Sequence, residues 1–237
     1  MKKRICLMLT CVLLVVSLVG CGSKGNSASD NSDKKSETTT LKGSSDEKYY
    51  MCVPISGVEY WFPVFQGMKD AAKALGVNCY YMGTPEYDAS KQVEVFDQIL
   101  AMNPTGILVH PITAESFVDP IQRAVDADVK VVTFAADSPD SARTAYVTSD
   151  NTKEGNTAAE NIAQALGGKG EVMIMRNPGQ TNHETRCDSF VTYMKENYPD
   201  INVVAEEISG QDADKTYQAV MTVAQAHPDL AAVFTPE

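Results

Sequence analysis

The chain is short of positive charge. Its 237 residues include 20 lysines and arginines against 31 aspartates and glutamates, which gives a formal net charge of -11. Proteins that bind nucleic acids or other polyanions need clustered basic residues, so this balance argues against a nucleic-acid partner. The hydrophobic share of 43% is ordinary for a globular protein, and the length is enough to bury a core.

The motifs of several common enzyme classes are missing. The sequence has no G-x-S-x-G nucleophile elbow and no G-x-x-x-x-G-K-[ST] phosphate loop. The glycine-rich residues 167–170 precede a predicted strand rather than follow one, so we interpret them as a turn. The loop after the first predicted strand, residues 56–60, lacks the G-x-G-x-x-G turn of dinucleotide-binding enzymes. We therefore predict a protein that is not an enzyme.

Cysteine patterns that hold metals are also missing. The six cysteines form no C-x-x-C pair and no Cys/His set with ligand spacing, so no metal site and no cofactor are predicted. Cys52, Cys79 and Cys187 fall in the part of the chain that we expect to fold. Cys52 and Cys79 lie in apolar strand-like runs, where a cysteine commonly behaves as a small buried hydrophobe.

Residues 1–20 have the layout of a bacterial export signal. Three basic residues come first, and the mostly apolar residues 5–19 that follow are too few for a comfortable membrane-spanning helix. Residues 18–21, LVGC, resemble the lipobox of bacterial lipoproteins, in which the chain is cut just before a cysteine that carries lipid. A short uncut anchor is the alternative. We predict lipidation of Cys21, which would hold the protein on the extracytoplasmic face of the cell membrane.

Residues 21–47 are predicted to be the lipidated cysteine and a disordered tether. From residue 22 to about residue 47 the chain is rich in Ser, Gly, Asn, Asp, Lys and Thr, with one Leu and no aromatic residue. Such a segment cannot bury enough apolar surface to offset the entropy of ordering it. The folded part is therefore expected to begin near residue 48.

Short apolar strands alternate with helices from residue 48 onward, which predicts parallel βαβ units and an α/β fold. The expected elements of the first series are a strand at 49–55, a helix at 65–75, a strand at 77–82, a helix from an Asp88 N-cap to 102, a strand at 106–109, a helical stretch at 113–128 that is kinked or restarted at Pro120, and a strand at 129–134.

The same alternation then restarts, so two Rossmann-like lobes are predicted, residues 48–147 and 148–237. The expected elements of the second series are a short extended piece at 145–148, a helix from an Asp150 N-cap to 166, strands at 171–175, 203–208 and 231–235, and helices at 182–198 and 212–226. The sequence stops directly after its last predicted strand, and the second series is the shorter one. We therefore expect an incomplete second lobe and a C-terminally truncated chain.

Open parallel sheets bind ligands outside the carboxyl ends of their strands, so the loops after the predicted strands contain the candidate site residues. Those loops contain Tyr60 and Trp61, His110, Asp137, Asn182 with Arg186, and Gln211 with Asp212. Aromatic faces are flat, apolar and rigid, which suits the C–H face of a sugar ring. Trp61 could instead be buried with Phe65, and Arg186 could pair with Asp188 or Glu184 on the surface. His183 is predicted to be a loop residue.

Four segments carry a resemblance to the type I periplasmic binding proteins, in particular the ribose- and sugar-binding branch that serves ABC importers. They are Tyr60-Trp61 with Gln66-Gly67, residues 148–151 with Gly155, residues 179–186, and residues 227–234, and the resemblance covers about residues 48–237. It implies two lobes that close on a small-molecule sugar. It also implies an ABC permease in the membrane as partner.

The resemblance also implies roles for the candidate residues. The stacking aromatics of the family fall on Tyr60 and Trp61, the arginine that grips sugar hydroxyls falls on Arg186, and a contact before the sixth helix falls on Gln211 or Asp212. His110 stands where the family has Asn. Directly after the fourth strand, the family usually has an Asp, often followed by an Arg, whereas this chain has Ala135 and Ala136. Either Asp137 takes over the role of the family's Asp, or the ligand presents fewer hydroxyls there.

Three functions are compared on this basis. The leading hypothesis is a lipid-anchored receptor that captures a sugar for an ABC importer. The alternative keeps the fold and presents a ligand, such as a furanose-like autoinducer, to a membrane sensor for signalling or chemotaxis. An enzyme built on a Rossmann-like lobe is disfavoured by the missing motifs, and the export signal excludes the sugar-responsive repressors that share this fold.

Overall fold

The computed structural model describes residues 41–236. The predicted signal, the lipidated Cys21 and most of the predicted tether lie outside the described residues. The last residues of that tether contact the first lobe: Gly43 N–H donates to the Leu75 carbonyl at 2.8 Å, and the Asn78 side chain donates to the Ser45 carbonyl at 2.5 Å.

A parallel five-stranded sheet organises the first lobe, in the order β2-β1-β3-β4-β5. Its strands are β1 Lys48–Val53, β2 Asn78–Gly83, β3 Gly106–Val109, β4 Lys130–Phe134 and β5 Ala145–Val147. The inward side chains of β1, β3 and β4 are buried, including Cys52, Ile107 and Val131. The predicted α/β fold with parallel sheets is confirmed.

Three α-helices cover this sheet: α1 Trp61–Leu75, α2 Ala89–Ala101 and α3 Val118–Asp126. The predicted cap of α2 is present, because the Asp88 side chain accepts from Lys91 N–H at 2.9 Å. The predicted restart at Pro120 occurs slightly earlier: a 3-10 turn, Glu115–Phe117, leads into α3 at Val118. Pro120 therefore lies in the first turn of α3, where a missing N–H costs no helical hydrogen bond.

A second parallel sheet, ordered β7-β6-β8, organises the rest of the described chain. Its elements are β6 Gly170–Arg176, β7 Ile201–Ile208 and β8 Leu230–Phe234, with α4 Asn151–Ala165, α5 Thr181–Asn197 and α6 Ala213–Ala226. Phe190 of α5 stacks on Phe234 of β8 with ring centroids 4.3 Å apart, and Cys187 is buried in the same core. In residues 41–236, no helix is long and apolar enough to cross a membrane.

Gly155 allows α4 and α5 to approach each other closely. A Cβ at this position would lie 2.3 Å from the Arg186 carbonyl oxygen and 2.8 Å from Ser189 Oγ. Backbone atoms inside a helix cannot move away easily. The small residue is therefore a packing requirement of the second lobe.

We expect Gly155→Ala to lower the free energy of unfolding by about 1–3 kcal/mol, the usual cost of overpacking. Gly67→Ala is the matched control, because a Cβ at Gly67 in α1 would have no atom within 4 Å. The control should be neutral or more stable by up to about 1 kcal/mol, since alanine is the better helix former. Urea unfolding of both variants measures the difference, and equal stabilities would contradict the packing argument.

Candidate ligand-binding site

A cavity of about 240 Å³ lies where the carboxyl ends of the strands of both lobes meet. Both lobes contribute to its wall. The first lobe provides Pro54, Ile55, Val58, Tyr60, Trp61, Tyr87 and His110, and the second provides Gln180, Asn182, His183, Arg186 and Gln211. The structure thus brings together six of the eight candidate residues, all except Asp137 and Asp212. A small molecule in this cavity would contact both lobes at once.

Aromatic rings form the wall on the side of the first lobe. Trp61 opens α1 and is 6% exposed, with its ring edge-on to Tyr60 at 4.7 Å and to His110 at 5.0 Å between centroids. Tyr60, one residue earlier, is 65% exposed. Trp61 also packs into a cluster that contains Met51, Val53 and Phe65. Both readings of Trp61 from the sequence therefore apply, because the same ring lines the cavity and fills the core.

Arg186 brings a positive charge to the opposite wall. Its Nε lies 2.6 Å from Glu154 Oε2 and donates to Asn151 Oδ1 at 3.0 Å, while Nη1 donates to the Pro236 carbonyl at 2.7 Å. The side chain is 17% exposed, so it is held rather than free in solvent. Its carboxylate partner is Glu154 on α4, not the neighbouring Glu184 or Asp188 that the sequence suggested.

Asn182 and His183, in the first turn of α5, add polar groups that are nearly fully buried. Asn182 Oδ1 and His183 Nδ1 have no hydrogen-bond partner among the described residues. A buried polar atom without a partner costs about 1–3 kcal/mol, which a ligand with hydroxyl groups could recover. The second lobe thus offers hydrogen-bonding groups opposite the aromatic wall.

Both histidines of the cavity are neutral at physiological pH. Burial lowers the pKa of His110 to about 3, with His183 and Arg186 lowering it further and the backbone of Phe134 acting in the opposite direction. Burial and the charge of Arg186 lower the pKa of His183 to about 4. Arg186 therefore faces two uncharged imidazoles.

Acid should destabilise the protein through these histidines. An unfolded histidine titrates near pH 6.5, whereas the folded pKa values are about 3 and about 4, so the unfolded chain binds more protons in that interval. The free energy of unfolding should fall by up to about 1.4 kcal/mol per histidine for each pH unit below 6.5, and the loss should end near the folded pKa values.

Thermal or urea unfolding between pH 7 and pH 4.5 measures this slope. His110→Asn removes one of the two groups and should flatten the slope. His227→Gln is the control, because His227 ends α6 and contacts Glu171 at 3.1 Å, near the amino end of β6 and outside the cavity wall. A His110→Asn variant with the slope of the unchanged protein would contradict the assignment.

Asp137 lies close to the cavity but is not part of its wall. Its carboxylate accepts from Arg143 Nη2 at 2.7 Å and from Thr133 Oγ1 at 2.6 Å. Burial by itself raises the pKa of Asp137, but the hydrogen bonds from Arg143 and Thr133 outweigh it, so the pKa is below its usual range. The chain reaches this position through Ala135, which adopts a left-handed conformation with φ of 58°. That turn carries Asp137 towards Arg143.

Asp212 likewise forms its described side-chain hydrogen bond inside its own lobe, where it caps a helix. As N-cap of α6, its side chain accepts from Lys215 N–H at 3.0 Å, and this bond lowers the pKa of the carboxyl group. Asp212 lines an adjoining hollow, which also contains Gln211 and Tyr217. Gln211 lines both the interlobe cavity and this adjoining hollow, and its backbone has a left-handed φ of 58°. Of this pair, Gln211 is the residue that reaches the interlobe cavity.

Residues 49–237 match the family of the periplasmic binding protein domain. The chain belongs to this family. Known relatives of this periplasmic binding protein include the D-allose-binding periplasmic protein of Escherichia coli K12, which is 28% identical over 185 residues. That alignment covers 74% of this chain and 59% of the relative, so the chain spans about three fifths of the length of that protein. The resemblance predicted from the sequence is confirmed.

Solved structures of periplasmic binding proteins agree with the fold. The sugar-binding protein of a sugar ABC transporter from Bacillus halodurans is 34% identical, with a TM-score of 0.73 over 80% of this chain and 65% of the other. The solute-binding protein of an ABC transporter from Burkholderia graminis, solved in complex with D-arabinose, is 27% identical, with a TM-score of 0.76 over 83% of this chain and 68% of the other. These relatives are binding proteins rather than enzymes.

Six residues in the wall of this periplasmic binding protein were not predicted as site residues, and three of them, His183, Gln180 and Tyr87, have polar side chains. His183 was expected in a loop, but it is buried in α5 and faces the cavity. Helical spacing contained the signal, because residues three apart share a face and His183 lies three positions before Arg186. Nothing in the local sequence around Gln180 and Tyr87 indicates a place in the cavity wall, because the packing of the two lobes puts them there.

Proposed function

We propose that the protein captures a sugar between its two lobes and delivers it to an ABC importer. The observation that carries the proposal is the division of the cavity wall: aromatic rings come from the first lobe, and a guanidinium and buried amides come from the second. Sugars have apolar C–H faces and polar edges, so they match such a wall. The ligands named for the relatives, D-allose and D-arabinose, support this class of ligand.

The size of the cavity supports a ligand no larger than a monosaccharide. Its volume of about 240 Å³ lies below the range of about 300–1,000 Å³ that is typical of sites for drug-sized molecules. We assign direct ligand contact to Tyr60, Trp61, Asn182, Arg186 and Gln211 on the basis of their place in the wall. Asp137 and Asp212 are assigned supporting roles in the loops around the site.

Binding works through closure of the lobes and needs no chemical step. A ligand that contacts both lobes binds the closed state better than the open one, and this difference in affinity shifts the equilibrium towards closure. We infer that the closed form is the one that an ABC permease in the membrane accepts. We further propose that Cys21 carries the lipid that keeps the receptor on the extracytoplasmic face of that membrane.

A sugar screen by thermal shift tests the proposal. A sugar at 100 times its dissociation constant should add about 2.7 kcal/mol to the free energy of unfolding. D-allose, D-arabinose and D-ribose are the first ligands to test, with leucine as a control that lacks the hydroxyl pattern. Because Trp61 is the chain's one tryptophan, its fluorescence should change in the same titration. No response to any monosaccharide or polyol would contradict the proposed function.

A further inference from the structure

A chain of side-chain hydrogen bonds crosses from the second lobe to the first beside the cavity. Asn177 and Gln180 lie on the loop between β6 and α5 and are 5% and 2% exposed. Asn177 Nδ2 donates to Tyr87 Oη at 3.2 Å and to Gln180 Oε1 at 2.9 Å. Gln180 Nε2 then lies 3.1 Å from His110 Nε2. We call this chain of hydrogen bonds, from Tyr87 through Asn177 and Gln180 to His110, the relay. Because Tyr87 and His110 belong to the first lobe, the relay connects the two lobes at both of its ends.

The relay has a direction, which determines the tautomer of His110. Asn177 donates its two amide hydrogens to Tyr87 Oη and Gln180 Oε1. Because the oxygen of the Gln180 amide is the acceptor there, the amide nitrogen of Gln180 is the atom that remains to donate to His110. A donor next to His110 Nε2 requires a lone pair on that nitrogen. In a neutral imidazole, the proton must then be on Nδ1.

The imidazole of His110 is packed between aromatic rings. His110 Nδ1 is buried and has no hydrogen-bond partner among the described residues, so a proton on it is available to a ligand oxygen, and the backbone of Phe134 acts to raise the pKa of the ring. The rings of Trp61 and Phe134 contact the imidazole edge-on, with centroids 5.0 and 5.8 Å from its own. Gln92 holds the backbone, because its Nε2 donates to the His110 carbonyl at 2.7 Å.

We propose that Gln180 is a positioning residue which, oriented by Asn177, fixes His110 as its Nδ1–H tautomer and uses its Nε2 lone pair to join the lobes. His110 then offers no acceptor nitrogen to a ligand. If the proposed sugar-binding function holds, a ligand hydroxyl cannot donate a hydrogen bond to His110 and must donate to another acceptor in the wall, for example Asn182 Oδ1. The contact between Gln180 and His110 is also one that a doubly protonated His110 could not make.

Nitrogen NMR of ¹⁵N-histidine-labelled protein without sugar tests the tautomer directly. The two nitrogens of a neutral imidazole have well-separated shifts, and the chain has three histidines, so single substitutions assign the signals. We expect His110 to have its proton on Nδ1 near pH 7. A proton on Nε2 in the unchanged protein would overturn the proposal.

Two variants should reverse the tautomer, one at the residue that contacts His110 and one at the next residue of the relay. Gln180→Glu replaces the donor next to His110 with an acceptor and should draw a proton to Nε2. Asn177→Asp leaves the neighbour of His110 in place, but its carboxylate accepts from the Gln180 amide nitrogen and should turn the amide oxygen towards His110. Gln225→Glu is the control for charge, because Gln225 is exposed on α6, and it should leave the tautomer unchanged.

The outcomes separate this proposal from the proposed function. If both relay variants are folded by circular dichroism and keep Nδ1–H with no proton on Nε2, the relay is wrong, whatever their affinity for D-arabinose. If neither variant folds, the tautomer of the unchanged protein alone decides. If the unchanged protein shows Nδ1–H and the variants reverse it, but D-arabinose and other sugars do not bind, the relay stands and the sugar-binding function fails.

Discussion

Replacing Trp61 with alanine will lower the free energy of unfolding by about 3–5 kcal/mol, the usual cost of removing a buried tryptophan side chain. The indole is 6% exposed and packs against Met51, Val53 and Phe65. For a folded region of this size, the loss corresponds to a fall in melting temperature of roughly 6–20 °C. Differential scanning calorimetry measures it. The same change also removes the largest ring of the cavity wall, so sugar binding should disappear with it.

Two further variants separate the structural role of Trp61 from its role in binding. Trp61→Phe keeps a ring in the cluster and should recover much of the lost stability. Tyr60→Ala removes the neighbouring ring, which is 65% exposed, and should change stability by less than about 0.5 kcal/mol. If Tyr60 stacks on the ligand, this variant should weaken sugar binding by about 1 kcal/mol, roughly fivefold. A destabilised Tyr60→Ala, or a Trp61→Ala as stable as the unchanged protein, would reverse the division of roles.

Element positions could be predicted from the sequence because their signals are local. The strand at 106–109 has the predicted bounds, and Asp88 and Asp150 cap their helices by accepting from Lys91 and Lys153 N–H. A capping side chain acts on a backbone group three residues away, so a short window of sequence contains the cause and the effect. The parallel sheets follow from the alternation of these elements.

Parts of the candidate site could not be predicted, because the positions of their residues depend on contacts far apart in the sequence or on an unusual backbone conformation. Asp137 was a candidate ligand residue from its position after β4, but the left-handed turn at Ala135 carries it to Arg143. Alanine seldom adopts such a φ, so the sequence gives no sign of the turn. Gln180 reaches His110 across 70 positions of the chain, and only the packing of one lobe on the other determines that contact.

The packing of the lobes is itself visible in backbone contacts. Ala114 N–H donates to the Gly179 carbonyl at 3.2 Å, and Asp137 N–H donates to Thr181 Oγ1 at 3.0 Å. A Cβ at Gly179 would lie 3.0 Å from Thr113 Cγ2. The segment 177–181 therefore touches the first lobe through both backbone and side chains. The described contacts between the lobes beside the cavity therefore include this segment.

Replacing Arg186 with alanine should have the largest effect on affinity that is not caused by a loss of core packing. The described partners of its guanidinium use Nε and Nη1, and a guanidinium has five N–H donors, so donors remain for a ligand oxygen. A hydrogen bond to a charged group contributes about 1.5–3 kcal/mol, so the dissociation constant should rise on the order of 10- to 100-fold. Isothermal titration calorimetry with a sugar that binds the unchanged protein measures this rise.

The stability cost of Arg186→Ala should be smaller than that of Trp61→Ala, because Glu154 is 41% exposed and can be rehydrated when its partner is lost. Arg186→Lys keeps the charge but loses the planar fork, so it should recover only part of the affinity. Arg176→Lys is the matched control: Arg176 pairs with Asp188 at 2.8 Å and with Glu206, outside the cavity. It should leave the affinity unchanged. If Arg176→Lys weakens binding as much as Arg186→Lys does, the effect comes from the stability of the second lobe, and Arg186 does not contact the sugar.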